Sequence, residues 1–368
     1  MNSKKPTLRE YLSSAVFIII VGVLFILNII IPAPSILSSE RRLPAKLPEL
    51  SVNSVISGSF MGKFDDYAAD RFVFRDAFRG IHAFMTLDMY MLEDKAGLYR
   101  SKTVGIGEFK RINATSFRQT AERIKKAAES LSGFDMSIYY TIVPDKSIFA
   151  ENYMPGFDVD SAEEILFGQL GDYQYIRLID DLSADVYYKT DLHWDQTKIE
   201  GAAEHLLSAM GSKAGTAGYS RVEAGEFRGA YAGQLALPVD ADVLSYIDIP
   251  GLSVSYLNEK TLEFEAGPAY DPERFTGVDP YDIFLRGPQP LIVIENKAAP
   301  ERELYLFRDS FGSSLAPLLS TAYSKITVID LRYIYMLTLG QFIEWTPGAD
   351  VLFIYSSQIF NNPSVLLA

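Results

Sequence analysis

Apolar residues are spaced in three ways along this chain, and each spacing predicts a different element. Near the N-terminus an uncharged run extends from Tyr11 to Ile31. It is close to the ~20 residues that span the ~30 Å hydrocarbon core of a bilayer as a helix. Further on, Phe74, Phe78, Ile81 and Met85 recur at helical spacing, which predicts a helix with that stripe packed and His82 on or beside the packed face. From about residue 90 the pattern becomes short, nearly continuous apolar runs: "MSIYYTIVP", "DVYYKT", "PLIVIEN", "ELYLF", "KITVID" and "DVLFIY". Such runs suit strands covered on both faces, as in a parallel sheet. Helical patterns fall between several of them, at 116–132, 195–210 and 313–323, and this alternation predicts an α/β layered fold with a mainly parallel sheet. Residues 212–288 break the alternation with Gly, Pro and mixed strands, and are expected to be a β-rich insertion within the same domain.

The flanks of the first run add an orientation. Lys4, Lys5 and Arg9 precede it, which keeps residues 1–10 in the cytoplasm and sends the rest of the chain outward. The run is longer than the usual apolar region of a signal peptide and ends in Pro32-Ala33-Pro34, so 11–31 reads as an uncleaved single-pass anchor in the cell membrane rather than a signal peptide. Pro, Ser and charge then dominate, so 32–59 is expected to be a linker and 60–368 one extracytoplasmic α/β domain.

Composition narrows the chemistry. The net charge of −13 and the absence of a dense Lys/Arg patch argue against nucleic acid as a partner. With no cysteine, thiol nucleophiles, thiolate zinc sites and disulfides are excluded. No nucleotide loop, metal cluster or flavin motif stands out, so no tightly bound cofactor is expected. Tyrosine and phenylalanine are plentiful, which suits an aromatic core or a carbohydrate-contacting surface.

Two short stretches carry candidate chemistry. In "VYYKTDLHWDQTKIEGAAEHLLSAMG", Ile199, Ala202, Ala203, Leu206, Leu207 and Met210 form a helical stripe, with Asp195 as its expected N-cap and Gly211 as its stop. Asp191-Leu192-His193-Trp194 is then the strand-to-helix connection, where α/β sheets place their active sites. Residues two apart in an extended or turn backbone project from one side, so Asp191 is able to hold the His193 imidazole in one tautomer. The alternative is a structural Asp/His/Trp cluster. His205 falls on the polar side of the helix and reads as solvated. In "ELYLFRDSFGSSLAPLL" a buried strand runs through Arg308-Asp309-Ser310-Phe311-Gly312 into a helix, placing Ser310 near the backbone N–H groups of a helix N-terminus. Alternatively, Ser310 or Ser314 simply caps that helix, and with Ser314 as the cap Pro317 falls in the first turn.

Together the D-x-H-W of Asp191 to Trp194 and the DSF of Asp309 to Phe311 resemble the DHHW proteins and the related AlgJ/AlgX group of SGNH-hydrolase-like polysaccharide O-acetyltransferases. Further matches are "VPDK" (Val143 to Lys146), "YKTDLHW", "PLIVIEN" and "VIDLRY" (Val328 to Tyr333), so the likeness runs from about Phe60 onward. It implies a three-layer SGNH-like fold with Ser310 as nucleophile, His193 as base and Asp191 as its orienter. The D-x-H precedes the serine, the reverse of ordinary SGNH hydrolases. Leu192 replaces one histidine of the family motif. Gly287-Pro288-Gln289 stands where a Gly-Asn is expected, which leaves the side-chain half of the oxyanion hole to Asn296 or Arg332. Arg332 has the alternative of pairing with Asp330, and Trp194 is the expected aromatic contact to substrate.

The resemblance implies transfer of an acetyl group from a donor, or from a membrane-bound acyltransferase partner, to a glycan hydroxyl. A glycan acetylesterase with the same triad is the near alternative. A non-catalytic glycan-binding protein on an SGNH scaffold, or a subunit of a polysaccharide-export complex, makes up the rest of the field.

Overall fold

The apolar run at the N-terminus forms one helix, α1 (Leu8–Ile30), in the computed structural model. Thr7 starts it with a capping box: its hydroxyl accepts from Glu10 N, and its own N–H donates to the Glu10 carboxylate. At about 1.5 Å per residue the helix is about 35 Å long. It is long and apolar enough to cross a membrane, and none of its residues is buried. The structure describes residues 7–93, 97–109, 111–151, 156–213, 215 and 218–367. Lys4 and Lys5, expected on the cytoplasmic side, lie outside them.

The chain divides into two compact units, Met1–Met85 with Gly233–Pro238, and Thr86–Ala232 with Val239–Ala368. In the first unit α1 is followed by α2 (Val52–Ile56), α3 (Ser59–Arg71) and α4 (Arg75–Ala83), so the stretch expected to be linker is helical in its last part and the unit boundary falls after Met85. The stripe expected as the packed face of this region is not packed. Phe74, Phe78, Ile81 and Met85 are exposed, and so is His82. The ionic side of α4 is turned inward instead, where Arg75 and Arg79 both meet Glu40. Beside them Arg42 makes a two-pronged bond to buried Asp70 at 2.6 Å on each oxygen, and these bonds hold the Asp70 carboxyl down to about 2.

The second unit opens with the hairpin β1 (Leu98–Ser101) and β2 (Gly105–Glu108). Next come α5 (Ala114–Glu129), β3 (Ser137–Val143), α6 (Val159–Leu170), β4 (Gln174–Tyr175) and α7 (Glu200–Ala209). The region expected to be an insertion holds β5 (Ser220–Phe227), α8 (Ala230–Leu235), β6 (Asp242–Asp248), β7 (Leu252–Leu257) and β8 (Phe264–Gly267). It is followed by β9 (Leu291–Asn296), β10 (Glu303–Arg308), α9 (Ser310–Leu319), β11 (Lys325–Ile329), β12 (Asp350–Ser356) and α10 (Ser357–Phe360).

Eight strands form one sheet in the order β4-β3-β12-β10-β11-β9-β7-β8. The five from β4 to β11 are mutually parallel, but β9, β7 and β8 are joined antiparallel. The sheet is therefore mixed: parallel from β4 to β11 and antiparallel beyond. Two strands of the expected insertion extend it, while β5 and β6 pair as a separate ribbon. "DVYYKT" forms no strand, only a bridge between Tyr187 and Trp194. Alternate residues of the central strands point to opposite faces. Leu304, Leu306, Leu352 and Ile354 pack with α7 and α9 on one side. Tyr305, Phe307, Val351, Phe353 and Tyr355 pack with α5 and α6 on the other, which makes three layers.

Candidate active site

Both motifs lie in the second unit, and the fold brings them together although 117 residues separate them. Strand β10 ends at Arg308, and Asp309 turns the chain into α9 by accepting from Phe311 N at 3.0 Å. The other Asp309 oxygen accepts from Ser356 N at the end of β12, so one carboxylate ties two strand ends together. Ser310 is the first residue of α9. The cap is thus Asp309 rather than Ser310 or Ser314, and Pro317 falls inside the helix rather than in its first turn.

The Tyr187–Trp194 bridge closes a tight loop from 188 to 193. Within it Asp191 is fully buried, and one of its oxygens accepts from both His193 N (3.0 Å) and His193 Nδ1 (2.7 Å). The second oxygen accepts from Ala230 N at 2.7 Å. Three donors on one carboxylate fix its orientation. With its Nδ1 so engaged, His193 directs Nε2 to Ser310 Oγ at 2.7 Å. Asp191, His193 and Ser310 therefore form a continuous relay in which each link is within hydrogen-bonding reach.

Several residues hold this relay and were not singled out for it in the sequence. Tyr281 stacks flat on the His193 ring, with centroids 3.8 Å apart and planes 9° from parallel. Its hydroxyl donates to Ser314 Oγ, and Trp194 Nε1 donates to the same oxygen, each at 2.8 Å. Ser314 in turn donates to Phe311 O, so its one proton and two lone pairs are all used. Gly229 lets the loop approach closely, because a Cβ there would lie 2.3 Å from the Asp191 Cβ. Lys146 is wholly buried and donates to the carbonyls of Tyr188 and Asp191 at 2.8 Å each. Burial pushes its ammonium down to about 8, with the carboxylates of Asp145 and Asp191 opposing that shift.

The contacts of Lys146 and Tyr281 are made across long stretches of chain, so no local spacing marks them. Only the "VPDK" match touched Lys146.

Of the three expected substrate contacts, Trp194 and Asn296 are turned away from a ligand. Trp194 is fully enclosed between Ser314 and Phe311, so its face is not open to a ligand. Asn296 ends β9, which runs antiparallel, and this carries it to the sheet edge where β11 begins, opposite the edge of Ser310. There its amide donates to Ser320 O and its oxygen accepts from Ala298 N. Arg332 follows its alternative and grips buried Asp330 with two nitrogens at 2.8 and 2.6 Å. His205 is not simply solvated, since its Nδ1 meets Asp181. Asp195 caps a single turn over Gln196–Lys198, and α7 proper starts at Glu200.

Fold and site together define a three-layer α/β protein with a serine at the end of a central strand facing an Asp-oriented histidine. Among solved structures, the chain is similar to a DHHW family protein from Eubacterium siraeum, with a TM-score of 0.58 and 18% identity over 74% of this chain and 94% of that one. It is also similar to PatB1 of Bacillus cereus, with a TM-score of 0.60 and 18% identity over 74% of this chain and 99% of that one. PatB1 has been solved with a sulfonyl adduct as well. The O-acetyltransferase domain of Pseudomonas putida AlgJ aligns at a TM-score of 0.44 and 12% identity, over 72% of this chain and 92% of that one. No family model and no curated protein matches the sequence.

Proposed function

We propose that the chain is a membrane-anchored acyltransferase that works outside the cytoplasm, moving an acetyl group to a glycan hydroxyl through an acyl-enzyme on Ser310. The observation that carries this reading is the Asp191–His193–Ser310 relay, with both of its side-chain links at 2.7 Å. The likeness in fold to a DHHW family protein supports it, as does the resemblance of the two motifs.

In the reaction, Ser310 Oγ attacks the acetyl carbonyl as its proton passes to His193 Nε2. Asp191 stabilises the resulting imidazolium through Nδ1. The Asp309 carboxylate and carbonyl already take up Phe311 N and Gly312 N, so we assign the Ser310 amide to the developing oxyanion. The tetrahedral species collapses, the bond to the donor's oxygen or sulfur breaks, and that atom leaves with the proton from His193. In the second half a glycan hydroxyl gives its proton to His193 and attacks the acyl-serine, regenerating Ser310. Water in place of the hydroxyl gives the esterase reaction. Helix α1 anchors the chain, with the partners being the glycan and either an acetyl donor or a membrane-bound acyltransferase.

The test is covalent. Treated with a sulfonyl fluoride or an activated acetyl ester, the wild-type chain is expected to gain one adduct, mapped by peptide mass to Ser310, and Ser310→Ala is expected to gain none. Wild type that stays unmodified, or an adduct elsewhere, contradicts the reading. Faster loss of the acetyl adduct when glycan is added, with acetate appearing on the glycan, separates transferase from esterase.

A further inference from the structure

Helix α4 is amphipathic with its two faces exchanged. Its ionic face looks into the protein, where the Arg75 and Arg79 side chains are only 18% and 21% exposed and both meet Glu40. Arg79 also donates to Gly233 O at 3.0 Å. Its small face fits the same side, since a Cβ on Gly80 would lie 2.6 Å from Ala236 O. The apolar side of the helix and of the residues flanking it looks outward: Phe74, its N-cap, is 56% exposed, Phe78 48%, Ile81 58%, and Phe84 and Met85, in the turn that follows, 55% and 41%. Folding in water alone does not favour this arrangement, because the large apolar groups gain nothing from it. An apolar surrounding favours it.

A second observation identifies that surrounding. Val73 N, at the turn into α4, donates to Asn28 Oδ1 at 3.0 Å, and the Asn28 amide donates back along α1 to Leu24 O at 2.8 Å. Asn28 lies within the last turn of α1, so the start of α4 is tied to the level at which the apolar helix ends. We propose that α4 and the residues flanking it bind lipid at the membrane surface, with Phe74, Phe78, Ile81 and Met85 lying in the headgroup–acyl boundary of the bilayer that α1 crosses. An interfacial helix buries its apolar face about 5–10 Å into that boundary, and the inward Arg–Glu face then holds the first unit to the helix. The proposal rests on the anchor reading of α1 and is independent of the acyl-transfer chemistry.

The sequence has no cysteine, so single-cysteine nitroxide labels are unambiguous. The variants Phe78→Cys, Ile81→Cys, Ile19→Cys and Lys260→Cys of the full chain would be labelled and reconstituted into vesicles of phosphatidylcholine and phosphatidylglycerol. Collision rates with oxygen, which partitions into lipid, and with a water-soluble nickel chelate report depth. Phe78, Ile81 and Lys260 are exposed, so the labels replace no core side chain. The oxygen-to-nickel ratio at Phe78 and Ile81 is expected to exceed that at Lys260 several-fold and to fall below that at Ile19. If Phe78 and Ile81 are as open to nickel as Lys260 while Ile19 is shielded, the anchor stands and the interfacial helix is overturned. If Ile19 is open as well, the anchor reading fails and the proposal falls with it. Shielding of Phe78 in native membranes but not in pure lipid vesicles also overturns it, because a membrane protein is then the occupant.

Discussion

Helices α7 and α4 carry the same kind of apolar periodicity and resolve it in opposite directions. In α7 the stripe Ala202, Ala203, Leu206 and Leu207 is buried against the sheet, and Glu204 and Ser208 face out. In α4 the stripe of Phe78 and Ile81 faces out, and Arg75 and Arg79 are drawn in. Spacing defines a face but not the direction in which it points. Direction is decided by where each face finds partners: α7 has the two-sided core of the sheet to fill, whereas the arginines of α4 have Glu40 and two backbone carbonyls to bind. The loop ahead of α7 goes further and encloses charged groups together with their partners. Asp191 receives three donors, and Lys146 is matched to carbonyls.

The strongest test of that inward side is Asp191→Asn. An amide has one acceptor oxygen where three donors now converge, so its NH₂ must face either Ala230 N–H or the imidazole. It also removes the charge that supports the imidazolium. Turnover of an activated acetyl ester is expected to fall on the order of 10⁴-fold, as for the equivalent change in a serine protease, with some stability lost because the site is buried. A variant that keeps wild-type turnover would reduce the site to a Ser–His pair.

The next test sets the two helices against each other. Leu206→Ala opens a cavity beneath α7 and is expected to cost about 2–5 kcal/mol. Ile81→Ala, measured for the full chain in detergent, is expected to stay within about 0.5 kcal/mol, as an exposed substitution does. Equal losses in denaturant titration would mean that α4 packs its stripe in solution after all.

The same contrast explains what was legible in the sequence. The stripe of α7, the strands at "ELYLF", "KITVID" and "DVLFIY", and the pairing of Asp191 with His193 rest on local spacing, and the structure has all of them. The direction of β9 was not readable, because a strand covered on both faces has the same apolar run whether its neighbours are parallel or antiparallel. "DVYYKT" reads as a strand from its aromatic and β-branched content, yet Tyr187 and Tyr188 are buried as loop anchors around Lys146. Trp194 looked like a binding face because aromatic rings serve both purposes, and only its burial against the acceptor Ser314 shows which one applies here. Tyr281 reaches His193 from the region that the local pattern marked only as a β-rich insertion.

A smaller effect than that of Asp191→Asn or Leu206→Ala is the pH signature of Lys146, and it probes whether the inward side encloses a charge. Burial lowers this ammonium to about 8, below the ordinary value of 10.5 that it regains on unfolding. Between those two values the unfolded chain holds more protons than the folded one, so stability rises with pH. The charged form is penalised below pH 8, and the penalty is relieved as pH climbs towards 10.5. Less than one proton separates the two states from pH 8 to pH 9, so the gain over that interval is on the order of 1 kcal/mol. Lys146→Met removes the titrating group, and its stability is expected to stay flatter over the same interval, even though its absolute stability drops as the Tyr188 and Asp191 carbonyls lose their donor. Denaturant midpoints of both chains at pH 8 and pH 9 decide the matter. If the two slopes are the same, Lys146 keeps an ordinary affinity for its proton, and water reaches the loop that holds Asp191.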